Sequence, residues 1–242
     1  MRLLFVADLH YSLKQYDWLL GEADRYDLVA IGGDLLDLSL TLDSDVQIAI
    51  VERYLSLISA KATLVVSSGN HDGDSRNAAD ESVAAWVREA RHDRLHTDGE
   101  GFDCGPDTRI TVCPWWDGDH SRGEVANLLA AESARRRDRW IWIYHAPPEG
   151  ARTSWAGRRH IGDESLAGWI AQYGPDLVFS GHIHNSPFYE EGSWIDRIGN
   201  TWVFNPGRQT GPEPTTIVLD LETMTAEWRS IEGRDRRDLR IA

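Results

Sequence analysis

The sequence of 242 residues predicts an α/β layered fold with a mixed central sheet, organised as one domain over residues 1–242. Three features carry that expectation. Short apolar runs alternate with amphipathic segments over the first three quarters of the chain. The last quarter changes to strand patterns separated by turn residues. No repeat of fixed period and no linker divides the chain.

Leu3–Ala7, Leu28–Ile31, Thr63–Val66, Ile110–Cys113, Trp140–Tyr144 and Leu177–Phe179 are continuous apolar runs of strand length, as expected of strands buried on both faces. Asp45–Ala60 places Val46, Ile50 and Leu57 on one helical stripe, and Arg122–Arg137 has similar spacing. Asp163–Tyr173 opens on a capping residue, Asp163, with Leu166, Trp169, Ile170 and Tyr173 at helical intervals behind it. Trp194–Asn205 and Thr215–Trp228 read as strands, with Glu222-Thr223 at a hairpin tip. From Gly233 onward the chain is densely charged, and a frayed or solvated end is expected.

Composition narrows the function classes. Apolar and charged fractions of 41% and 26% are those of a globular protein, which sets disorder aside. The net charge of −14, from 39 acidic against 25 basic residues, repels a nucleic-acid backbone and disfavours nucleic acid as a partner. Bound cations in a site would invert that field locally. Two cysteines, Cys104 and Cys113, are too few for a disulfide framework and point to thiols in a reducing compartment. The apolar start, Leu3–Ala7, is shorter than a signal h-region, and no run of membrane-spanning length occurs, so a cytoplasmic protein without a membrane partner is expected. Eleven tryptophans, several in loops, leave a homodimer surface open.

The informative residues all follow strand patterns. Asp8-Leu9-His10 follows the first, Gly32-Gly33-Asp34-Leu35-Leu36-Asp37 the second and Gly69-Asn70-His71-Asp72 the third. His145 follows Trp140–Tyr144, and Gly181-His182-Ile183-His184 follows Leu177–Phe179. Open α/β sheets gather ligands at the C-terminal ends of their strands. Alternate side chains share a face there, so Asp-x-His and His-x-His each present two donors together. Four imidazoles, two or three carboxylates and an amide oxygen are too many for one ion. Two ions about 3.5–4 Å apart, sharing a carboxylate, would use them all, and such pairs clamp the attacking and leaving oxygens at phosphorus. Nitrogen and oxygen donors of this kind suit manganese first, with iron, zinc, nickel or cobalt as alternatives.

Taken in order, Asp-x-His, Gly-Asp-x-x-Asp, Gly-Asn-His-Asp, a lone His and Gly-His-x-His resemble the motif set of the calcineurin-like metallophosphoesterase superfamily, over residues 8 to 184. The resemblance implies a four-layer αββα fold, a mixed β-sandwich flanked by helices. It implies Asp8, His10 and His184 as ligands of one metal, Asp34 as the bridge, and Asn70, His145 and His182 as ligands of the other. His71 is similar to the family histidine that contacts the substrate phosphate and protonates the leaving oxygen, and Asp37 to the carboxylate that orients it. Asp72 is a rival for that orienting role. The implied reaction is hydrolysis of a small-molecule phosphodiester, a cyclic nucleotide among the options, by a hydroxide bridging the ions.

Two loops are candidates for the substrate pocket: Trp115–His120, and residues 146–160 with Arg152, Trp155, Arg158 and Arg159. Arginine forks suit phosphate oxygens, and tryptophan faces suit a base. Arg208, after Asn205-Pro206-Gly207, is a further substrate-binding candidate, although Pro-Gly there is also a plain type II turn. Phosphomonoesterase activity is the main alternative. A protein phosphatase is disfavoured because Leu38 and Ser39 stand where those enzymes carry Arg-Gly. A nuclease is disfavoured by charge, and a non-enzymatic scaffold by the complete ligand set.

Overall fold

In the computed structural model, which describes residues 1–240, the apolar runs become two stacked sheets with helices on both outer faces. In chain order the elements are β1 (Arg2–Val6), α1 (Leu13–Glu22), β2 (Leu28–Gly32), α2 (Ser44–Ser59), β3 (Thr63–Ser67), β4 (Ser75–Arg76), β5 (Ser82–Val83), α3 (Ala85–Glu89), β6 (Leu95–His96) and β7 (Gly101–Asp103). They continue with β8 (Thr108–Val112), α4 (Asp119–Ser133), β9 (Arg139–Ile143), α5 (Glu164–Tyr173), β10 (Leu177–Phe179), β11 (Ile195–Ile198), β12 (Thr201–Phe204), β13 (Thr216–Asp220), β14 (Thr225–Ser230) and β15 (Gly233–Asp238). One sheet runs β15-β14-β13-β1-β2-β3-β6, the other β11-β12-β10-β9-β8-β7, and β4-β5 is a separate ribbon. Both sheets are mixed: the first is parallel from β1 through β6 and antiparallel from β1 out to β15, and the second has a parallel centre with antiparallel edges.

The period of two along each strand separates the layers. Leu3, Phe5, Leu28, Ala30 and Val65 meet Ile110, Ile141, Ile143 and Phe179 between the sheets. Leu4, Val6, Val29 and Ile31 turn the other way, onto Tyr16 and Leu19 of α1 and Val51, Leu55 and Ile58 of α2. Trp140, Trp142 and Val178 cover α4 and α5 through Val125, Leu129, Leu166 and Ile170. The four-layer αββα expectation is therefore met, and each central strand is apolar on both faces because each has a layer on both sides. No helix among the described residues is long and apolar enough to cross a membrane.

Several boundaries and faces differ from the sequence expectation. Helix α2 buries Gln47, Val51, Leu55 and Ile58, whereas Val46 is exposed. Gln47 is accepted inside because its amide bonds both the N–H and the carbonyl of Asp37 (2.9 and 3.0 Å) and the carbonyl of Leu42. Helix α4 starts at Asp119, not Arg122, since the distant Glu81 carboxylate accepts the His120 and Ser121 N–H groups (2.8 and 2.7 Å) and caps that end. It stops at Ser133, and Arg135, Arg136 and Arg137 pair instead with Glu132, Asp176 and Asp103. The charged end is solvated as expected but, up to Asp238, not frayed: Gly233–Asp238 forms β15, a largely exposed edge strand on β14, and residues 241–242 lie outside those described. Two indole N–H groups of the other sheet's margin hold it, Trp194 to Asp235 (2.9 Å) and Trp202 to the Leu239 carbonyl (3.1 Å). Trp194–Asn205 is itself a hairpin, β11 and β12.

Candidate metal centre

The C-terminal ends of β1, β2, β3, β9 and β10 converge on one edge of the sandwich and bring the motif residues together. Donor atoms of Asp8, His10, Asp34 and His184 lie within 4.8 Å of one another. So do those of Asp34, His145 and His182, and those of His10, Asp37 and His71. Asp34 belongs to the first two groups and stands between them. Its Oδ2 is 3.2 Å from His145 Nε2 and 3.6 Å from His10 Nε2. Asp8 Oδ1 is 3.3 Å from His184 Nε2, and the Nε2 atoms of His10 and His184 are 3.1 Å apart.

Backbone geometry sustains the crowding. Asp8, His10, Asp34 and His182 all have φ between 43° and 64°. Positive φ is uncommon outside glycine and collects at functional sites, where surrounding structure compels it. Asp8 is held by the His182 N–H, which donates to both carboxylate oxygens at 3.1 Å. At Gly33 (φ 92°) a Cβ would sit 2.5 Å from His145 Nδ1, and at Gly69 one would strike Asp34 Oδ1.

Protonation follows burial and neighbours. Burial pushes His10 down to about 4 against the pull of Asp34 and Asp8. Burial, then the charge of His145, lowers His182 to about 4. Both rings are thus neutral at pH 7, with a lone pair to offer. Burial also acts to lower His145, but the charge and hydrogen bond of Asp34 outweigh it and raise this ring to about 9. Asp34, buried, is held below the usual carboxylate range by His145. His145 Nδ1 donates to the Gly32 carbonyl (2.7 Å), which directs Nε2 at the carboxylates.

The donor set fits divalent cations on two observations. Asn70 Oδ1 is buried without a hydrogen-bond partner, a condition costing about 1–3 kcal/mol when nothing else satisfies it. The neutral His10 and His182 rings facing two buried carboxylates are also in the protonation state that nitrogen ligation requires, while His145, held charged by Asp34, would release its proton on binding an ion.

Around this centre, His71 donates its backbone N–H to Asp34 Oδ1 (2.9 Å) and sets its ring edge-on to His10. Its Nδ1 accepts the Leu38 N–H at 3.4 Å, leaving the ring proton on Nε2. Asp37 is near His71, but its carboxylate bonds the N–H and hydroxyl of Ser39 (2.9 and 2.6 Å). Burial raises Asp37, yet those bonds and the nearby His10 and His71 leave it below its ordinary value. Asp72 has a different position from the rival role considered for it. Fully buried, it accepts the Leu35, Leu36 and Gly69 N–H groups (2.8, 2.9 and 2.8 Å) and ties the Asp34 loop to the Asn70 loop. Burial, reinforced by Asp34, raises its carboxyl to about 8.

Of the substrate-loop candidates, Trp115 and Arg208 adjoin the centre. Trp115 packs against His145 and His182 (ring centroids 5.7 and 5.6 Å). Arg208 donates from Nε to the Asp8 carbonyl (3.1 Å) and from its backbone to the His184 carbonyl (2.9 Å). The Asn205-Pro206-Gly207 turn positions it: buried Asn205 donates to the Thr153 and Ile183 carbonyls, and Gly207 has φ 68°. Arg152 is engaged elsewhere, its guanidinium bonded to the carbonyls of Glu190, Glu191 and Gly192. Trp155 packs on His160, away from the donor groups in the contacts it makes.

Asp98 is a supporting residue that carries no sequence signal. It is buried and accepts the Ser68 N–H (2.9 Å) two residues before Asn70. Burial raises its carboxyl to about 6. The folded value lies above the unfolded one, so its stabilisation is complete below roughly pH 4 and is lost as pH rises through about 6. Asp98→Asn keeps the acceptor without the charge. It is expected to exceed the wild type in stability by about 1–2 kcal/mol at pH 8 and to match it near pH 4, in paired denaturant titrations.

The calcineurin-like phosphoesterase family model matches residues 1–186. No curated protein matches the chain by sequence. Among solved structures, the TT1561 protein of Thermus thermophilus superposes with a TM-score of 0.60 at 15% identity, covering 98% of each chain. The purple acid phosphatase PPD1 of yellow lupin (Lupinus luteus) seeds gives 0.57 at 14% identity, over 100% of this chain and 55% of that one. At such identities the superpositions speak for the fold, and the family match extends over more than three quarters of the sequence, including every motif from Asp8 to His184. This chain belongs to the calcineurin-like phosphoesterase family.

Proposed function

We propose that the protein is a metal-dependent phosphoric ester hydrolase of a small molecule, acting on diesters in preference to monoesters, with one domain spanning residues 1–242. The observation that carries this reading is the pair of donor groups joined at Asp34. On this reading Asp8, His10 and His184 would hold one divalent ion and Asn70, His145 and His182 a second, with Asp34 available to both and manganese the first choice of metal. When bound, the ions supply Lewis acidity toward the phosphoryl oxygens and lower the pKa of water enough for attack at neutral pH. His71 holds a proton at Nε2 for the departing oxygen, and Asp37, whose carboxylate lies beside it, orients that ring. Arg208 and Trp115 border the reacting phosphate, the first as a cation and the second as a wall that excludes water. A cleft of about 500 Å³ beginning at His182 and Trp115 gives room for a second substituent on phosphorus, which favours diesters. The two unbridged thiols support a reducing, cytoplasmic setting.

The test compares bis-p-nitrophenyl phosphate with p-nitrophenyl phosphate on chelator-stripped protein with Mn²⁺ restored. Manganese-dependent turnover of the diester above the monoester is expected. Turnover of the monoester alone would transfer the assignment to a phosphatase, and none on either would refute the reading. In the same assay His71→Ala should retain its metal and lose about 10²–10⁴ in rate on esters with alkoxide leaving groups. The loss should be much smaller with nitrophenolate, which needs no proton. Equal losses on both would mean that His71 acts by positioning the phosphate.

A further inference from the structure

We infer that the substrate is a nucleotide-like phosphodiester that carries a second anionic group beyond its ring, bound along a groove with two compartments. This deepens the phosphodiesterase reading and rests on it. The first compartment is the cleft of about 500 Å³ that starts at His182 and Trp115 and is walled by Trp116, Tyr144 and Ile161. Its rings are fixed in advance. Trp115 lies nearly parallel to Tyr144 (10°, centroids 6.3 Å apart). The Trp116 indole N–H and the Tyr144 hydroxyl both donate to one oxygen of buried Asp163, each at 2.8 Å. Tyr144 is buried and backs this wall, so the ring faces open to a ligand are those of the half-buried Trp115 and Trp116, and a wall already ordered costs little to pack a planar ring against.

The edge of the slot is polar and of mixed sign. The Arg122 guanidinium sits 5.6 Å over Trp116, and Asp117 and Glu164 complete the lining. Donors and acceptors around a flat slot match the edge of a heterocyclic base. Arg122 is paired with Asp119 (2.8 Å) and Asp117 accepts the Ser82 N–H (2.8 Å), and each keeps further donor or acceptor positions for such an edge.

The second compartment, about 480 Å³, shares Ile161 with the first and is lined by Arg158, Arg159 and Tyr189. Both arginines are exposed, and neither forms an ion pair among the described residues. In a chain with 39 acidic residues, two adjacent arginines without ion-pair partners, in a pocket that adjoins the first at Ile161, fit a phosphate or carboxylate of the ligand.

Three probes, each releasing p-nitrophenolate, test this on the manganese-loaded protein: methyl p-nitrophenyl phosphate, the p-nitrophenyl ester of thymidine 5′-phosphate, and the same ester bearing a 3′-phosphate. kcat/KM is expected to rise at each addition. The rise from the 3′-phosphate should shrink by about tenfold in Arg158→Ala/Arg159→Ala, as expected for two exposed charge contacts to one anion. The ratio between the two nucleotide probes is the readout, so a general loss of activity cannot imitate the effect. No gain from the base, no gain from the 3′-phosphate, or a gain that survives in the double variant would overturn the inference while leaving the hydrolase reading intact. No turnover of any probe would refute that reading and this inference with it.

Discussion

Asp34→Asn is expected to lower diester turnover by at least about 100-fold, because loss of residues that merely support a metal ligand already costs about 10–100-fold. The geometry explains why this position should be so sensitive. Asp34 is the one carboxylate shared by both main donor groups, with Oδ2 facing His145 and His10 and Oδ1 accepting the His71 N–H. Asparagine preserves the volume and the bond to His71, but it offers at most one oxygen and places an N–H₂ where a lone pair is needed. Metal analysis should show fewer than two ions per chain, with the circular dichroism spectrum unchanged. His145→Ala should act in the same direction, since it removes a donor already locked toward Asp34 by the Gly32 carbonyl. A variant at either position with two ions and full activity would overturn the ligand assignment.

Metal addition to chelator-stripped protein is expected to raise the melting temperature by roughly 5–10 °C. A ligand at 100 times its Kd stabilises the folded state by about 2.7 kcal/mol, and each kcal/mol moves a domain of this size by about 2–4 °C. The effect should be large because Asp8 and Asp34 are almost fully buried and the unfolded chain offers no equivalent cluster. Asp34→Asn should lose most of the shift, which separates specific binding from general salt effects. Absence of any shift with manganese, zinc, nickel and cobalt would contradict a metal centre at this edge. Because this readout needs no substrate, it stands apart from the question of which ester is hydrolysed.

The strands that carry the motifs were legible because each is a continuous apolar run closed by polar residues, a pattern that buried parallel strands impose. Their pairing was not. The terminal strand β15 has no apolar alternation, and its place depends on β14 and on two tryptophans from the other sheet. Helix α1 was missed for a related reason: its buried residues, Gln15, Tyr16 and Leu19, include a polar one. Gln15 is tolerated there because its amide bonds the carbonyls of Gln209 and Gly211. The start of α4 depended on Glu81, and the buried face of α2 on an amide bonded to Asp37. In each case a partner distant in sequence satisfies a polar group that local propensity would place in solvent.

By itself, the sequence determined the four-layer architecture, the family and the residue types gathered at the strand ends, because strand periodicity and donor chemistry are local properties. Only the tertiary structure decided which residues surround the donor groups and which are occupied elsewhere. It gave Asp72 the task of joining two loops, occupied Arg152 with backbone carbonyls, and kept Trp115 and Arg208 beside the donors. Those outcomes depend on which groups remain unsatisfied after distant segments pack, and spacing along the chain does not encode that.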